Sequence, residues 1–359
     1  MSGERGEFEI QLGPRRARRV ADADLGFGKI FTDHMFVMDH EASKGWQRPR
    51  IVPFGPLSLD PSASVFHYGQ AMFDGLKAFR WRDGSVHLFR SDRHCRRMAD
   101  AAPRLCMPAP DPALLQRALK ALIQIDRDWV PSSVGSALYI RPVLIGSGAG
   151  LGVRPSDRYT LYVILSPVGP YYPEGFKPVR IWVEERYVRA APGGTGAVKA
   201  GGNYGASLVA AEEARRRGYA QVLWLDAHKR RALEEVGVMN LFVRIGDELA
   251  TPPLEGTILA GVTRDSVLTL LSDWGVPARE RAITIDELLE ADRAGTLREV
   301  FGCGTAAVIT PISELGMSAG NLKVGGGQVG EMAQRLYDTI TGIQYGLRED
   351  QHHWMQPVD

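Results

Sequence analysis

Residues 193–205 read GGTGAVKAGGNYG, so that one lysine, Lys199, stands among six glycines. Glycine lets the backbone approach a ligand closely and accepts dihedral angles that other residues refuse. Tyr204 follows five residues after the lysine, and an amphipathic helix pattern over residues 207–217 comes next. The stretch indicates either a lysine presented to a ligand or a flexible loop with a solvated lysine.

Lys199 has the setting of a lysine whose amine reacts. Burial and cationic neighbours lower the pKa of a lysine, and the neutral amine is then a nucleophile towards carbonyls. Enzymes that use pyridoxal phosphate hold their cofactor through such an amine, as a Schiff base. We therefore interpret Lys199 as a candidate Schiff-base lysine and weigh this interpretation against the remaining segments.

The length and composition are those of a globular protein with two domains. The chain has 359 residues, more than one hydrophobic core usually serves, and a catalytic cleft between two domains is expected. It is 44% hydrophobic and 24% charged with a net charge of +1, so no field of one sign attracts nucleic acid or an anionic membrane. Proline and glycine are concentrated in residues 167–175. We predict a lead-in over residues 1–30 and a small N-terminal α/β domain over residues 31–169. An interdomain loop over residues 170–178 and a larger C-terminal domain over residues 179–359 should follow.

Cysteine usage and the N-terminus predict a cytoplasmic protein. The three cysteines, Cys95, Cys106 and Cys303, are odd in number and far apart, which argues against a disulfide framework. No apolar run is long enough to cross a bilayer, and the N-terminus lacks the apolar core of a signal peptide. The basic run at residues 15–19 is expected to be solvated. His352-His353 has no partner at metal-ligand spacing, so no metal site is expected.

The predicted N-terminal domain holds several polar side chains in apolar surroundings. Residues 65–79 place His67, Tyr68 and Gln70 among bulky apolar residues, as in a pocket wall or in a core strand and turn. Ser91 is a candidate N-cap for a helix with three arginines, most of which should be solvated. One arginine aimed inward would suit a phosphate. Arg141 lies inside an apolar run and needs a partner for its charge, in a structural or a site role.

Three regular elements are predicted in the same domain. Residues 138–145 and 159–168 are apolar runs that predict buried strands. Asp111 and Pro112 predict the start of a helix, since they are a cap residue followed by a first-turn proline. Its apolar positions Leu115, Leu119 and Leu122 fall on one face, so this helix is expected to pack.

The predicted C-terminal domain carries three further candidate site segments. Glu234 and Glu235 adjoin an apolar run, where acids usually mark the solvated end of a strand, although one could hold a pyridine nitrogen protonated. Residues 259–265 lead into a helix and could seat a phosphate on backbone N–H groups. Residues 301–307 form a second turn of small residues suited to an anion.

Two glycine patterns near the C-terminus do not carry their usual function. Residues 325–330 spell G-x-G-x-x-G, but too little chain follows for a dinucleotide-binding βαβ unit. Residues 316–320 spell G-x-S-x-G, but no helix pattern follows the serine as a nucleophile elbow requires. We expect both to be loops.

Four motifs in order resemble those of the branched-chain amino acid aminotransferases, which are fold-type IV pyridoxal-phosphate enzymes. The resemblance runs from about Phe31 to past Ile343, nearly the whole chain. It implies a two-domain fold of α+β and α/β character, similar to that of D-amino acid aminotransferase. The motifs are Lys199-x-Gly-Gly-Asn203-Tyr204, Glu235-Val-Gly-x-Met-Asn240, Gly261-Val-Thr263-Arg264 and Phe301-Gly-x-Gly-Thr305-Ala306.

The resemblance implies pyridoxal 5'-phosphate as cofactor and a role for each matched residue. Lys199 would form the Schiff base, Tyr204 would bind the phenolic oxygen, and Glu235 rather than Glu234 would hold the pyridinium nitrogen. Arg97, Val262, Thr263 and Thr305 would bind the phosphate. Tyr68, Phe73, Tyr139, Arg141 and Tyr171 would line the substrate pocket, with the turn of Thr305, Ala306 and Ala307 at the substrate carboxylate.

The family resemblance also implies the reaction and the assembly. The expected reaction is a reversible ping-pong transfer of the amino group between leucine, isoleucine or valine and 2-oxoglutarate, in a homodimer with shared active sites. Ala307 and Thr310 replace the dithiol pair of some mammalian members, so redox regulation there is not expected. Val238 replaces a threonine near the ring, which leaves the tuning of the cofactor open.

Four alternative functions remain open from the sequence. A D-amino acid aminotransferase or an aminodeoxychorismate-lyase-like enzyme would keep Lys199 and Glu235 but would differ in its substrate pocket. A pyridoxal-phosphate carrier without catalysis, or a nucleotide-binding module built on the glycine loops, would turn over no amino donor.

Overall fold

The computed structural model describes residues 7–14, 20–171 and 175–359. The basic run at 15–19 and residues 172–174 of the predicted interdomain loop lie outside the described residues. The chain forms two compact units, the first from Met1–Pro173 with Gly342–Asp359 and the second from Glu174–Thr341. The predicted ranges differ at the end of the chain, because Met355–Pro357 forms a strand that pairs with Val86–Phe89 in the first unit.

The strands of the described residues are numbered in chain order. They are β1 (Glu9–Ile10), β2 (His34–Glu41), β3 (Gly45–Pro53), β4 (Ala71–Phe73), β5 (Leu76–Arg80), β6 (Val86–Phe89), β7 (Ala137–Gly146), β8 (Arg158–Val168), β9 (Val179–Glu184), β10 (Gln221–Leu225), β11 (Leu233–Val236), β12 (Met239–Ile245), β13 (Glu248–Thr251), β14 (Ala278–Glu280), β15 (Leu297–Gly304), β16 (Val308–Met317), β17 (Gly320–Lys323) and β18 (Met355–Pro357).

The α-helices of the described residues are numbered in the same way. They are α1 (Ser64–Tyr68), α2 (Ser91–Ala101), α3 (Pro112–Ile125), α4 (Gly201–Arg216), α5 (Val262–Asp273), α6 (Ile285–Arg293) and α7 (Glu331–Gln344).

One sheet organises the first unit, in the strand order β1-β3-β2-β8-β7-β5-β6-β18, with β4 paired to β7. The predicted strands at 138–145 and 159–168 are confirmed as β7 and β8, which pair antiparallel. Helix α3 packs against α2 and β2. Its start is as predicted, because the Asp111 side chain accepts from Ala113 N. The three leucines predicted to share its packing face, Leu115, Leu119 and Leu122, are buried.

The predicted N-cap of α2 is wrong. Ser91 is the first residue of the helix, and Arg90, in the left-handed conformation with φ 49°, holds the cap position. Ser91 is fully buried, and its hydroxyl donates to Gln356 and accepts from Gln116 Nε2 at 3.0 Å. These contacts with residues far away in sequence occupy the side chain that would otherwise cap the helix.

A closed ring of six strands organises the second unit. The sheet runs β11-β10-β9-β16-β15-β12, and β11 also pairs with β12, so the first and last of these strands meet. The apolar side chains of the ring form a core that includes Leu223, Leu241 and Leu315, and α6 adds Leu288. Closing the strands on themselves removes exposed edges, so the loops at the ring ends have a rigid support.

We predict that Leu241→Ala lowers the free energy of unfolding by about 2–5 kcal/mol, because it leaves a cavity in this core. Leu241 is fully buried on β12. Leu254→Ala is the matched control, since Leu254 is 41% exposed in the same unit and its truncation should cost about 0.5 kcal/mol or less. Urea denaturation measures both variants, and equal losses would contradict the assignment of this core.

Candidate active site

Lys199 and Tyr204 form a hydrogen-bonded pair at the start of a helix. Lys199 lies two residues before α4, and its Nζ donates to the Tyr204 hydroxyl oxygen at 2.6 Å. Both side chains are half-buried. Helix α4 begins at Gly201 rather than at the predicted Ser207, so Tyr204 lies in the first turn. The helix therefore fixes the phenol beside the amine.

Asn203 accounts for the early start of α4. Its Nδ2 donates to the carbonyl oxygens of Thr195 and Val198 at 2.8 and 3.0 Å, and its Oδ1 accepts from Thr195 Oγ1 at 2.6 Å. Glycine is a poor helix former, and the three glycines among residues 201–205 hid this turn from the helix pattern. The buried asparagine ties the first turn of α4 to the loop that carries Lys199.

Glu235 lies buried in a network that links three segments of the second unit. Its Oε1 accepts from Leu259 N at 2.8 Å, and its Oε2 forms an ion pair with Arg189 Nε at 2.9 Å. Arg189 also donates from Nη1 to Thr257 O at 2.8 Å and from Nη2 to Gly196 O at 3.2 Å. The sequence did not point to Arg189. The signal was available in principle, because a buried carboxylate needs a cation.

Both acids on β11 are buried. The sequence left two interpretations open, the solvated end of a strand or a carboxylate that holds a pyridine nitrogen protonated. Glu234 and Glu235 are 6% and 3% exposed, so the solvated-end interpretation is wrong. Burial raises the pKa of Glu234, although a hydrogen bond from Thr257 and the charge of Arg189 oppose that rise. Glu234 Oε2 has no hydrogen-bond partner within the described chain. The two adjacent carboxylates therefore have different environments.

Strand register brings the remaining second-unit candidates towards Glu235. Glu235 stands opposite Asn240 on β12, and Asn240 stands opposite Cys303 on β15. Asn240 Nδ2 donates to Leu259 O at 2.8 Å, which fixes the loop before α5. The turn at residues 305–307 follows β15 directly. The loop before α5 and this turn thus belong to the same end of the ring.

Helix α5 presents its N-terminus from a tightly packed glycine. Val262 and Thr263 are its first two residues, and the N-cap residue Gly261 provides no side chain to occupy their N–H groups. A Cβ on Gly261 would lie 1.9 Å from Asn240 Oδ1, so only glycine fits there. A helix N-terminus favours an anion through the N–H groups of its first turn and through its dipole.

Thr305, Ala306 and Ala307 form the turn that joins β15 to β16. Gly304 pairs with Val308, so the three residues close a tight hairpin, and all three are half-buried. Val308 has a φ of 62°, which is costly for a β-branched residue. The tight turn of small residues is as predicted, and its contact with an anion stays a prediction.

Four of the five residues predicted to line the substrate pocket form one cluster in the first unit. The Arg141 guanidinium lies 4.6 Å from the centroid of the Phe73 ring and donates to the Tyr139 hydroxyl at 3.2 Å. Phe27 packs edge-on against Tyr139 and Tyr171, with ring centroids 5.1 and 5.3 Å apart. Phe27 was missed because it falls in the predicted lead-in, where local patterns show no fold.

Tyr68 is the fifth residue predicted to line the substrate pocket, and its hydrogen bond lies outside this cluster. It ends α1 and is 40% exposed, and its hydroxyl donates to Leu151 O. Residue 151 belongs to the glycine-rich loop between β7 and β8. The contact fixes Tyr68 against that loop.

Arg97 is the inward-facing arginine of α2. Arg93 and Arg96 are exposed, whereas Arg97 is half-buried and donates from Nε and Nη2 to Asp74 at 2.9 and 2.8 Å. His94 Nδ1 lies 2.9 Å from the same carboxylate. Burial alone would raise the pKa of Asp74, but Arg97 and His94 hold it well below its usual range. Asp74 therefore fixes the orientation of the Arg97 guanidinium.

Lys77 is a second buried lysine that the sequence did not single out. It stands opposite Tyr139 in the pairing of β5 with β7, and burial lowers its pKa to about 8. Its strand also carries Arg80, and nothing local distinguishes Lys77 from a lysine whose stem lies along the surface.

The described residues contain no group of three His, Cys, Asp or Glu side chains that could hold a metal ion. Within the same residues, no helix has both the length and the apolar character needed to span a membrane.

The comparisons with known proteins agree on one family. The sequence profile of the family described as amino-transferase class IV matches residues 72–315. Branched-chain-amino-acid aminotransferase 2 of Bacillus subtilis (strain 168) is 51% identical over 351 residues, which cover 98% of this chain and 97% of the relative.

Two solved structures resemble the fold over most of its length. The branched-chain amino acid aminotransferase of Escherichia coli superposes with a TM-score of 0.75 and 27% identity, over 90% of this chain and 99% of that chain. The branched-chain amino acid aminotransferase from Thermobaculum terrenum, in its pyridoxal-phosphate form, gives a TM-score of 0.72 and 23% identity, over 90% and 98%. The predicted fold class is confirmed.

We predict that Glu234→Gln raises the melting temperature at pH 8 and has little effect at pH 4. The pKa of Glu234 is raised in the folded protein, so the stability that its protonated form provides is lost as the pH rises through that pKa. Glutamine resembles the protonated form at every pH. Glu290→Gln, at an exposed position of α6, is the control and should act equally at both pH values. An equal shift from Glu234→Gln at both pH values would contradict the prediction.

Proposed function

The chain belongs to the branched-chain amino acid aminotransferases of the amino-transferase class IV family, and we propose that it exchanges amino groups between L-leucine, L-isoleucine or L-valine and 2-oxoglutarate. Its cofactor is pyridoxal 5'-phosphate, and the reaction is a reversible ping-pong transfer. The observation that carries the proposal is the position of the Lys199 amine, 2.6 Å from the Tyr204 hydroxyl. Arg189 links the loop of Lys199 to the buried Glu235, because it binds both Gly196 O and the Glu235 carboxylate.

The second unit offers a partner for each polar group of the cofactor. We propose that Lys199 takes the carbonyl, Tyr204 the phenolic oxygen and Glu235 the ring nitrogen. Leu259 N and Arg189 hold the Glu235 carboxylate in a fixed orientation. The N-terminus of α5 at Val262 and Thr263 fits a phosphate. When bound, pyridoxal phosphate supplies an electrophilic carbonyl and a ring that stabilises negative charge at the substrate α-carbon.

Two further residues complete the proposed phosphate site. The Thr305 hydroxyl would donate from the turn after β15, and the Arg97 guanidinium would bind a phosphate oxygen. Asp74 binds the Nε and Nη2 atoms of Arg97 and so fixes the plane of its guanidinium. Arginine is suited to phosphate because it presents several N–H groups in a fixed plane.

Lys199 is also the proposed general base. Its Nζ takes the α-proton of the amino acid and later returns that proton, while the Tyr204 hydroxyl keeps the amine oriented through their hydrogen bond. The half-buried position of the pair limits its access to water. Glu235, as an anion, balances the positive charge of a protonated ring nitrogen.

The proposed substrate contacts divide by chemistry. The turn of Thr305, Ala306 and Ala307 offers N–H groups to the α-carboxylate. The aromatic residues Tyr68, Phe73, Tyr139 and Tyr171 suit a branched aliphatic side chain. Arg141 contacts Phe73 and Tyr139, and its Nε has no hydrogen-bond partner in the described structure, which supports a role with the second carboxylate of glutamate or 2-oxoglutarate.

We also propose that the protein is a cytoplasmic homodimer with shared active sites. Leu208 and Val209 on α4 are 67% and 45% exposed, and neighbouring exposed apolar side chains are typical of contact surfaces. Cys95 and Cys303 are buried and form no disulfide, in keeping with a reducing compartment.

The test of this function is the first half-reaction. We predict that the protein loaded with pyridoxal phosphate absorbs visible light and that L-leucine alone, without a 2-oxo acid, removes this absorbance. Lys199→Ala should lose both the band and turnover, because it lacks the amine. Lys229→Ala, at an exposed turn, is the control and should retain both.

The other outcomes of this experiment separate the alternatives. A band that responds to D-alanine but not to L-leucine would indicate the D-amino acid enzyme. A band that no amino donor changes would indicate a carrier, and no band after addition of the cofactor would overturn the proposal.

A further inference from the structure

Arg189 is a buried arginine to which the resemblance and the proposed chemistry assign no role. It follows β9 in the second unit and is 8% exposed. Its three nitrogens each reach a different segment: Glu235 Oε2 on β11, Thr257 O before α5 and Gly196 O in the Lys199 loop. One side chain thus joins the loop of the amine to the strand of the ring carboxylate.

We propose that Arg189 is a positioning residue that keeps Glu235 ionised and sets the place of the Lys199 loop relative to it. The inference rests on the proposed function, since it concerns the residues that would meet the pyridoxal phosphate ring. It predicts that Arg189 controls the protonation behaviour of the bound cofactor without touching it.

The first step is electrostatic. A buried carboxylate without a partner is costly and takes up a proton instead of remaining charged. Arginine remains protonated at all ordinary pH values, so an ion pair at 2.9 Å favours the carboxylate form of Glu235. Only the carboxylate form can balance the charge of a protonated ring nitrogen.

The second step is selection between the two adjacent acids. Arg189 donates its Nε hydrogen to Glu235, whereas Glu234 Oε2 has no hydrogen-bond partner among the described residues. The remaining contacts of Arg189 go to the carbonyls of Thr257 and Gly196. The guanidinium therefore distinguishes Glu235 from Glu234, which the sequence could separate only by resemblance.

The third step is the packing of the loop. A Cβ on Gly196 would lie 2.3 Å from Thr257 O and 2.6 Å from Ala190 Cβ, so the loop has no freedom to move inward. Arg189 binds the two carbonyls, Gly196 O and Thr257 O, from the same planar group. Because a guanidinium is planar and rigid, it holds both carbonyls and the Glu235 carboxylate in one fixed arrangement.

The experiment compares Arg189→Gln and Arg189→Lys with the wild-type protein. Two properties of the loaded protein are measured: the dissociation constant of pyridoxal phosphate and the pH midpoint at which the visible absorbance of the bound cofactor changes. We expect Arg189→Gln to raise the dissociation constant about tenfold or more, because a hydrogen-bonded charge is lost. The midpoint should move upward, since removal of a nearby cation favours the protonated form of the nitrogen that joins Lys199 to the cofactor. Arg189→Lys should show a smaller shift of the midpoint than Arg189→Gln, because lysine restores the positive charge.

Two controls separate positioning from folding. Arg281→Gln removes an arginine of the same unit that pairs with Glu248 and Glu287, and it should lower the melting temperature without moving the midpoint. The double variant Arg189→Gln, Glu235→Gln removes both charges and should recover melting temperature relative to Arg189→Gln alone, without recovering the midpoint. If Arg189→Gln does not fold, Arg189→Lys and the double variant still provide both measurements.

The outcomes are distinct. A lower melting temperature with an unchanged midpoint and an unchanged dissociation constant in Arg189→Gln would overturn the inference and leave a purely structural arginine. A wild-type protein that binds no pyridoxal phosphate would instead overturn the proposed function.

Discussion

The ion pair between Arg189 and Glu235 is the interaction on which the second unit's candidate site depends. Two opposite charges are buried together, and each is also hydrogen-bonded to backbone, Glu235 to Leu259 N and Arg189 to two carbonyls. Loss of one partner would leave the other charge buried and unpaired, which costs far more than an exposed ion pair contributes. The closed ring of strands provides the rigid surroundings that such a pair requires.

In the first unit, too, a buried carboxylate fixes the orientation of basic side chains. Asp74 is a single buried carboxylate that binds both Arg97 and His94. It also accepts a hydrogen bond from Gly75 N at 2.6 Å. Its neighbour Gly75 leaves no room for a side chain, since a Cβ there would lie 1.9 Å from the Tyr139 hydroxyl oxygen. In both units, then, a buried carboxylate and an arginine hold each other in a fixed orientation, and glycine permits the close packing around them.

Local sequence patterns were sufficient for the elements with strong periodicity and clear caps. The strands at residues 138–145 and 159–168 and the helix that follows Asp111 were predicted from hydrophobic runs and capping chemistry, which depend on neighbours in the chain. The four motifs of the family resemblance pointed to the fold and to Lys199, Tyr204 and Glu235.

Contacts between residues far apart in sequence explain the failures. Ser91 does not cap α2 because Gln356 and Gln116 engage its hydroxyl, and β18 joins the first unit by pairing with β6. The helix pattern missed the first turn of α4, because Asn203 stabilises it through the preceding loop. Arg189 has no local signature, since its partners lie on three separate segments. Periodicity detects which face of an element is buried, but it does not identify the partner of a buried charge.

The central claim is that Lys199 is the amine that holds the cofactor. Reduction of the pyridoxal-phosphate-loaded protein with borohydride would fix the cofactor to its lysine, and peptide mapping by mass spectrometry would identify that residue. Lys77 is the natural competitor, because burial lowers its pKa to about 8. We predict one modified lysine, Lys199, and modification of Lys77 or of no lysine would contradict the claim.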